Sequence, residues 1–150
     1  MSAGSQPDWY VGWLEGSLRL FPPFEPIILG LTVPNPFFGG ALLGLIILAG
    51  LYLYPFAEQW VTGDREVHHV LDLPSRRPGR TAIGAGFITF CVVLTVAGSN
   101  DVIAVLFGTQ VESLRAVLRI LVIVLPLVVA GLTYLACRRI SRTQRVEAET

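Results

Sequence analysis

A carboxylate surrounded by aromatic side chains stands near the start of the chain, in the stretch QPDWYVGW. Trp9, Tyr10 and Trp13 crowd around Asp8, and Pro7 directly precedes it. Aromatic rings and a partly dry pocket disfavour the charged form of a carboxylate, which suits it to proton exchange near neutral pH. Such a group could act as a general base toward a bound phenolic compound whose ring is held by apolar walls. The alternative is a membrane-surface anchor in which the acid has no chemical role.

The remaining candidate ligands and nucleophiles are two histidines and two cysteines. His68 and His69 are adjacent, so on a helix they would point about 100° apart. They lie in an arginine-rich loop with no accompanying cysteine, which favours a solvated pair over a metal site. Cys91 and Cys137 fall in or at the end of apolar runs and are expected to be buried free thiols.

The composition predicts an all-α membrane protein. Hydrophobic residues make up 53% of the 150 residues, charged residues only 15%, and the mean hydropathy is +0.62. Three apolar runs, 36–57, 81–98 and 120–137, approach the roughly 20 residues needed to cross a bilayer. We therefore expect an outer-side loop with an interfacial helix over 1–35, a three-span domain over 36–142, and a polar tail over 143–150.

The segment after Trp9 has the periodicity of a short helix lying along the membrane interface. Glu15 and Arg19 form an i, i+4 pair on its surface, and Gly12 and Gly16 are interpreted as features that keep it short. Small residues four apart also occur in the first two spans and predict close helix packing there. The apolar face of the short helix consists of Tyr10, Leu14, Leu18 and Phe21. The small-residue pairs are Gly40 with Gly44 in the first span and Ala82 with Gly86 in the second.

The arginines predict the orientation. All 11 basic residues are arginines; four lie in the loop 58–80 and four more between 138 and 145. The positive-inside bias puts this loop and the C-terminus in the cytoplasm, and the N-terminus and the connection 99–119 outside. We expect a multi-pass protein of the plasma membrane in contact with lipid. A nucleic-acid partner is not indicated, because most of the arginines lie between or after the apolar runs and form no basic face.

Three blocks of the sequence resemble cytochrome b. PDWY, residues 7–10, looks like the PEWY motif of that family in the aspartate-containing form of actinobacterial-type cytochrome bc1 complexes. The loop 54–82 and the stretch AGSNDVIA at 97–104 are similar to later blocks of the same subunit, in the same order. The resemblance extends from about Pro7 to Arg142, and it implies the C-terminal part of the cytochrome b of a quinol–cytochrome c reductase.

The resemblance implies roles for the motif residues. Asp8 would help to remove a quinol proton, Tyr10 would line the same pocket, and Pro7 and Trp9 would shape its turn. Asn100 and Asp101 are expected to form a cap or an interface hydrogen bond.

The resemblance also implies that the electron carriers lie on other polypeptides. No cofactor is expected on this chain alone. Haem b and an iron–sulfur cluster are expected on partners, namely a haem-binding N-terminal cytochrome b half, a Rieske iron–sulfur subunit and a cytochrome c subunit. The chain would then be part of a proton-translocating oxidoreductase without being catalytic alone.

The chain departs from the family pattern in two respects. It has two histidines where the family uses four for its haems, and the motif precedes all three spans instead of lying between the first two as in the small subunit of b6f complexes. A cytochrome b whose upstream half is encoded separately fits this pattern. The alternatives are a non-catalytic truncated remnant and a small membrane scaffold or assembly protein.

Overall fold

The computed structural model of the chain describes residues 8–63 and 73–149, and helices dominate this part. A 3-10 turn at Trp9–Val11 leads into helix α1, and a two-stranded antiparallel hairpin follows. A π-helical stretch at Phe37–Leu42 then continues into helix α2. This architecture confirms the all-α membrane prediction. The bounds are α1 Gly12–Leu20, β1 Ile27–Ile28, β2 Leu31–Thr32, α2 Leu43–Thr62, α3 Pro78–Gly98, α4 Asn100–Phe107 and α5 Val111–Glu149.

Three of the helical segments in the described residues are long and apolar enough to cross a membrane: Phe37–Thr62, Pro78–Gly98 and Val111–Thr143. They contain the second and third predicted runs and all of the first except Pro36, and each extends beyond its run. α5 begins at Val111 and continues to Glu149, through most of the expected polar tail. Once a helix exists, each added residue fixes only its own backbone for one hydrogen bond, and Glu, Ala and Arg have good helix propensities. A span and its polar extension therefore form one helix.

α3 lies at the centre of the packing. It contacts α5 along its length and α1 near its C-terminal end, and the buried cluster lies between these three helices. By contrast, only 11% of the apolar window of the first span and 6% of that of the third are buried inside the chain. Most of their surface is thus available to lipid or to other polypeptides. The buried cluster consists of Leu20, Val93, Leu94, Ala97 and Leu118.

The small-residue pairs of the first two spans lie at close helix contacts, as predicted. The pair in the second span contacts α5, whereas the pair in the first span contacts α1. A Cβ on Gly86 would lie 3.2 Å from the carbonyl oxygen of Pro126, so α3 and α5 approach closely there. A Cβ on Gly40 would lie 3.0 Å from Cδ2 of Leu18. The pair at the start of the first span therefore packs against α1 and not against another span.

α2 diverges from α3 and leaves a cleft of about 700 Å³ between them. The cleft is lined mainly by apolar side chains, and Tyr54, Arg77 and Arg80 stand among its lining residues. Arg80 Nε lies 2.8 Å from Glu58 Oε1, which ties the end of α2 to the start of α3. The two spans are thus linked at one end by an ion pair.

Candidate functional site

Asp8 and Tyr10, two residues that the sequence predicts to act together, are joined by a hydrogen bond. The Tyr10 hydroxyl donates to Asp8 Oδ2 over 2.8 Å. The backbone N–H of Val11 donates to the Asp8 carbonyl oxygen over 2.9 Å, which closes the 3-10 turn between them. A phenol that donates to a carboxylate makes a charge-assisted hydrogen bond and fixes the direction of that carboxylate. The turn therefore presents an oriented acid–phenol pair.

This pair is exposed, and the described residues do not enclose it. Asp8 is exposed, and Tyr10 is 59% exposed. Trp13, expected beside Asp8, packs against the buried cluster. Trp9 contributes its backbone to the 3-10 turn, and Pro7 lies outside the described residues. Any enclosed pocket around Asp8 would therefore need walls from outside the described part of the chain.

The helix that carries the pair is fixed on α3 by two glycines. A Cβ on Gly16 would lie 1.7 Å from the carbonyl oxygen of Leu94, and a Cβ on Gly98 would lie 2.7 Å from the carbonyl oxygen of Gly12. Only hydrogen in place of a side chain allows these two backbones to approach so closely. Gly12 and Gly16 are thus packing residues, a role beyond the expected one of keeping the helix short, and their four-residue spacing is the sequence signal for it.

The opposite side of α1 packs on the start of the first span. Ser17 Oγ donates to the carbonyl oxygens of Leu14 and Gly39. The Phe21 ring stacks on Phe38, with centroids 5.8 Å apart, and Phe24 and Phe37 also contact Phe38. α1 is therefore held between two spans. This packing accounts for the apolar periodicity of the segment.

Arg19 connects α1 to the start of α4. Its Nε donates to Glu15 Oε1 over 2.8 Å, which confirms the predicted i, i+4 pair. Its Nη1 donates to Asn100 Oδ1 over 2.9 Å and lies 3.0 Å from Asp101 Oδ1. Asn100 is 1% exposed. Asn100 is expected to form a cap or an interface hydrogen bond; the structure shows a hydrogen bond between helices, and its partner is Arg19 of α1.

The charges of this cluster stabilise one another. Burial opposes the charged form of Asp101, but the Val102 N–H, 3.0 Å from Oδ1, and the Arg19 guanidinium outweigh it and hold the pKa of Asp101 below its ordinary value of 3.8. Burial also disfavours the charge of Arg19, but the hydrogen bond to Glu15 and the charge of Asp101 outweigh it and raise the pKa of Arg19. Both groups are therefore charged at neutral pH.

The described residues contain no group of three or more His, Cys, Asp or Glu side chains that could hold a metal ion. His68 and His69 lie outside them. Cys91 and Cys137 are free thiols, the second buried and the first partly buried. Neither Asp8 nor Tyr10 is among the residues that line the cleft between α2 and α3. This cleft is therefore separate from the Asp8–Tyr10 pair.

Comparisons with known proteins identify close relatives. Three are named cytochrome bc1 complex cytochrome b subunit: from Mycobacterium leprae, 40% identical over 149 residues; from Streptomyces coelicolor, 37% over 145; and from Corynebacterium diphtheriae, 39% over 146. The matches cover 97–99% of this chain, which spans 27% of each relative's length. A scan against protein-family models gives no match.

Proposed function

Because this chain is homologous to the C-terminal part of the cytochrome b subunits of actinobacterial cytochrome bc1 complexes, we propose that it supplies part of a quinol-oxidation site on the outer side of the plasma membrane. Asp8 is the proton acceptor, and Tyr10 orients its carboxylate. The observation that carries this proposal is the 2.8 Å hydrogen bond between Tyr10 and Asp8 Oδ2.

The proposed chemistry at Asp8 is a proton transfer. A bound quinol places one hydroxyl within hydrogen-bonding reach of the Asp8 carboxylate, the O–H bond breaks, and the proton moves to a carboxylate oxygen. The Tyr10 hydroxyl occupies Oδ2, which leaves Oδ1 to face the substrate. The pair is exposed in this chain, so the companion haem-binding half of cytochrome b provides the other walls of the pocket.

Electron transfer needs groups that this chain does not hold. The sequence contains two histidines, which are adjacent, so it offers no set of four helical ligands for two haems. Haem b and an iron–sulfur cluster on companion polypeptides would supply the electron-accepting chemistry, while the part of this chain is to bind the substrate and to deprotonate it at Asp8. The companions in this proposal are the haem-binding half, a Rieske iron–sulfur subunit and a cytochrome c subunit, and the chain alone does not turn over.

The test is a reconstituted complex with a substituted Asp8. The chain is co-expressed with the haem-binding half and the iron–sulfur and cytochrome c subunits, and quinol–cytochrome c reductase activity is measured per haem. Asp8→Asn keeps the shape but removes the base, and kcat should fall about 100-fold or more. Tyr10→Phe removes one hydrogen bond, and kcat should fall about tenfold.

Glu25→Gln is the matched control, because Glu25 is an exposed carboxylate of the same N-terminal segment. Its activity should equal that of the unsubstituted complex. If the Asp8→Asn complex retains more than half of the original kcat, Asp8 is not the proton acceptor.

A further inference from the structure

Asn100 and Asp101 form part of a block to which the proposed function assigns no task. The structure places both at the first turn of α4, where a single guanidinium nitrogen, Arg19 Nη1, reaches each of them within 3.0 Å. Arg19 and Asn100 are 81 residues apart in the chain. The contact therefore joins the helix that follows the Asp8–Tyr10 turn to the connection between the second and third spans.

The contact is costly to break, because Asn100 is almost completely buried. Its Oδ1 accepts from Arg19, and its Nδ2 has no hydrogen-bond partner within the described ranges. Without the guanidinium, both ends of a buried amide would lack partners, which is strongly unfavourable. Arg19 also holds Glu15 on its own helix. The position of the guanidinium is therefore fixed from both sides.

A second arginine holds the same end of α1. Arg119 of α5 donates from Nε to the carbonyl oxygen of Leu20 over 2.9 Å. Leu20 is the last residue of α1, where backbone carbonyls lack partners within the helix and cations are favourable. The C-terminal end of α1 is thus connected to both α4 and α5, and the glycine contact with α3 lies one turn earlier.

Displacement of α1 is transmitted to the Asp8–Tyr10 pair. The 3-10 turn at Trp9–Val11 continues directly into α1, and the Asp8 carbonyl oxygen is hydrogen-bonded to Val11. A rotation of the helix about the glycine contact would therefore move the Asp8 carboxylate relative to any companion polypeptide. Shifts of about 1 Å in a reacting group can lower a rate by about two orders of magnitude.

We propose that Arg19 is a positioning residue for Asp8: by holding Asn100 and Asp101 it sets the rotation of α1 and thereby the position of the Asp8 carboxylate in the quinol site. This inference rests on the proposed function. Arginine suits the task because its planar fork reaches three acceptors in fixed directions, whereas the point charge of a lysine cannot.

The experiment uses the reconstituted complex with Arg19→Gln and Arg19→Lys. The control is Arg115→Gln, which removes an arginine whose ion pair with Glu112 lies within α5. Measured quantities are haem content, kcat and KM for quinol, and the pH profile of kcat. We expect full assembly in both Arg19 variants. kcat should be at least tenfold lower for Arg19→Gln and about threefold to tenfold lower for Arg19→Lys, with KM changed less than twofold and a shifted pH profile.

Three outcomes would overturn the inference. One is a kcat within twofold of the original in both Arg19 variants while Asp8→Asn remains at least 100-fold slower. Another is a loss that follows haem content alone, which would make Arg19 merely structural. The third applies if Arg19→Gln does not assemble: an unchanged kcat per haem in Arg19→Lys would then also overturn the inference. Unchanged activity of Asp8→Asn would refute the proposed function instead, so the two failures are distinguishable.

Discussion

The hydrogen bond between Tyr10 and Asp8 is a local feature. Only one residue lies between the two groups in the chain, and a single 3-10 turn brings the hydroxyl to the carboxylate. The Arg19 contact is of the opposite kind, because its acceptors come from a distant part of the chain. The stabilisation that this contact contributes depends on pH, because Asp101 must be ionised to pair with Arg19.

We predict that the contribution of Asp101 to stability is lost in acid. Its pKa is lower in the folded chain than the ordinary 3.8, so the unfolded chain takes up a proton first as the pH falls. The contribution is complete above about pH 5 and disappears as the pH falls through the lowered pKa. Arg19, with its raised pKa, stays charged throughout this range.

The measurement compares the melting temperature of the original chain with that of Asp101→Asn in detergent between pH 7 and pH 3. At pH 7 the variant should be less stable by roughly 1–2 kcal/mol, because hydrogen bonds to charged groups contribute about 1.5–3 kcal/mol and these two side chains are partly exposed. The difference should shrink below about pH 4. A difference that is constant down to pH 3 contradicts the prediction.

At the scale of elements, α1 is the piece that connects the others. One side lies against α3 through Gly12 and Gly16. The other lies against the first span, where Leu18 contacts its π-helical start and Leu14 contacts the first turn of α2. The apolar periodicity of α1 predicts a helix with one apolar face, and the structure has that helix. The pattern of apolar residues does not reveal the second, glycine-lined face, because a glycine contributes no hydrophobic side chain to it. Only the four-residue spacing of the glycines signals that face.

We expect Gly16→Ala to displace α1 from α3. The new Cβ would stand 1.7 Å from the carbonyl oxygen of Leu94, and backbone atoms cannot yield as the end of a flexible side chain can. Overpacking of this kind costs about 1–3 kcal/mol or more. Thermal unfolding in detergent measures the loss, and quinol oxidation by the reconstituted complex should fall with it.

Gly131→Ala in α5 is the matched control, since nothing lies within 4 Å of the position of its Cβ. Alanine is the better helix former by about 0.8–1 kcal/mol, so this variant should be as stable as the original or more stable. Equal melting temperatures for Gly16→Ala and the original would mean that the close contact between α1 and α3 does not exist.

At the scale of the whole molecule, the described residues form three candidate spans but little buried interior. α3 and α5 pack together with α1, whereas α2 leaves a cleft and is tied to α3 by the Arg80–Glu58 pair. A helix with so little surface covered by its own chain is stabilised by lipid or by other polypeptides. Such a chain belongs in a membrane assembly, and its orientation there decides which side Asp8 faces.

We predict that Leu29 is reachable from outside the cell and Arg142 only from inside. Leu29 is 99% exposed in the hairpin turn, and Arg142 is exposed near the end of α5. In a background with Cys91→Ala and Cys137→Ala, Leu29→Cys should react with a membrane-impermeant maleimide on intact cells. Arg142→Cys should react only after permeabilisation. The reverse pattern would place Asp8 on the cytoplasmic side and refute the outer quinol site.

The sequence by itself determined the class of the protein, the number of candidate spans and the proximity of Asp8 and Tyr10 in one turn. These properties depend on local composition and short spacing, which hydrophobic runs and turns express directly. Only the tertiary structure decided that glycines dock α1 on α3 and that Arg19 meets Asn100 and Asp101. Contacts between distant residues depend on which helices cross and at which turn, and no periodicity in a single segment carries that information.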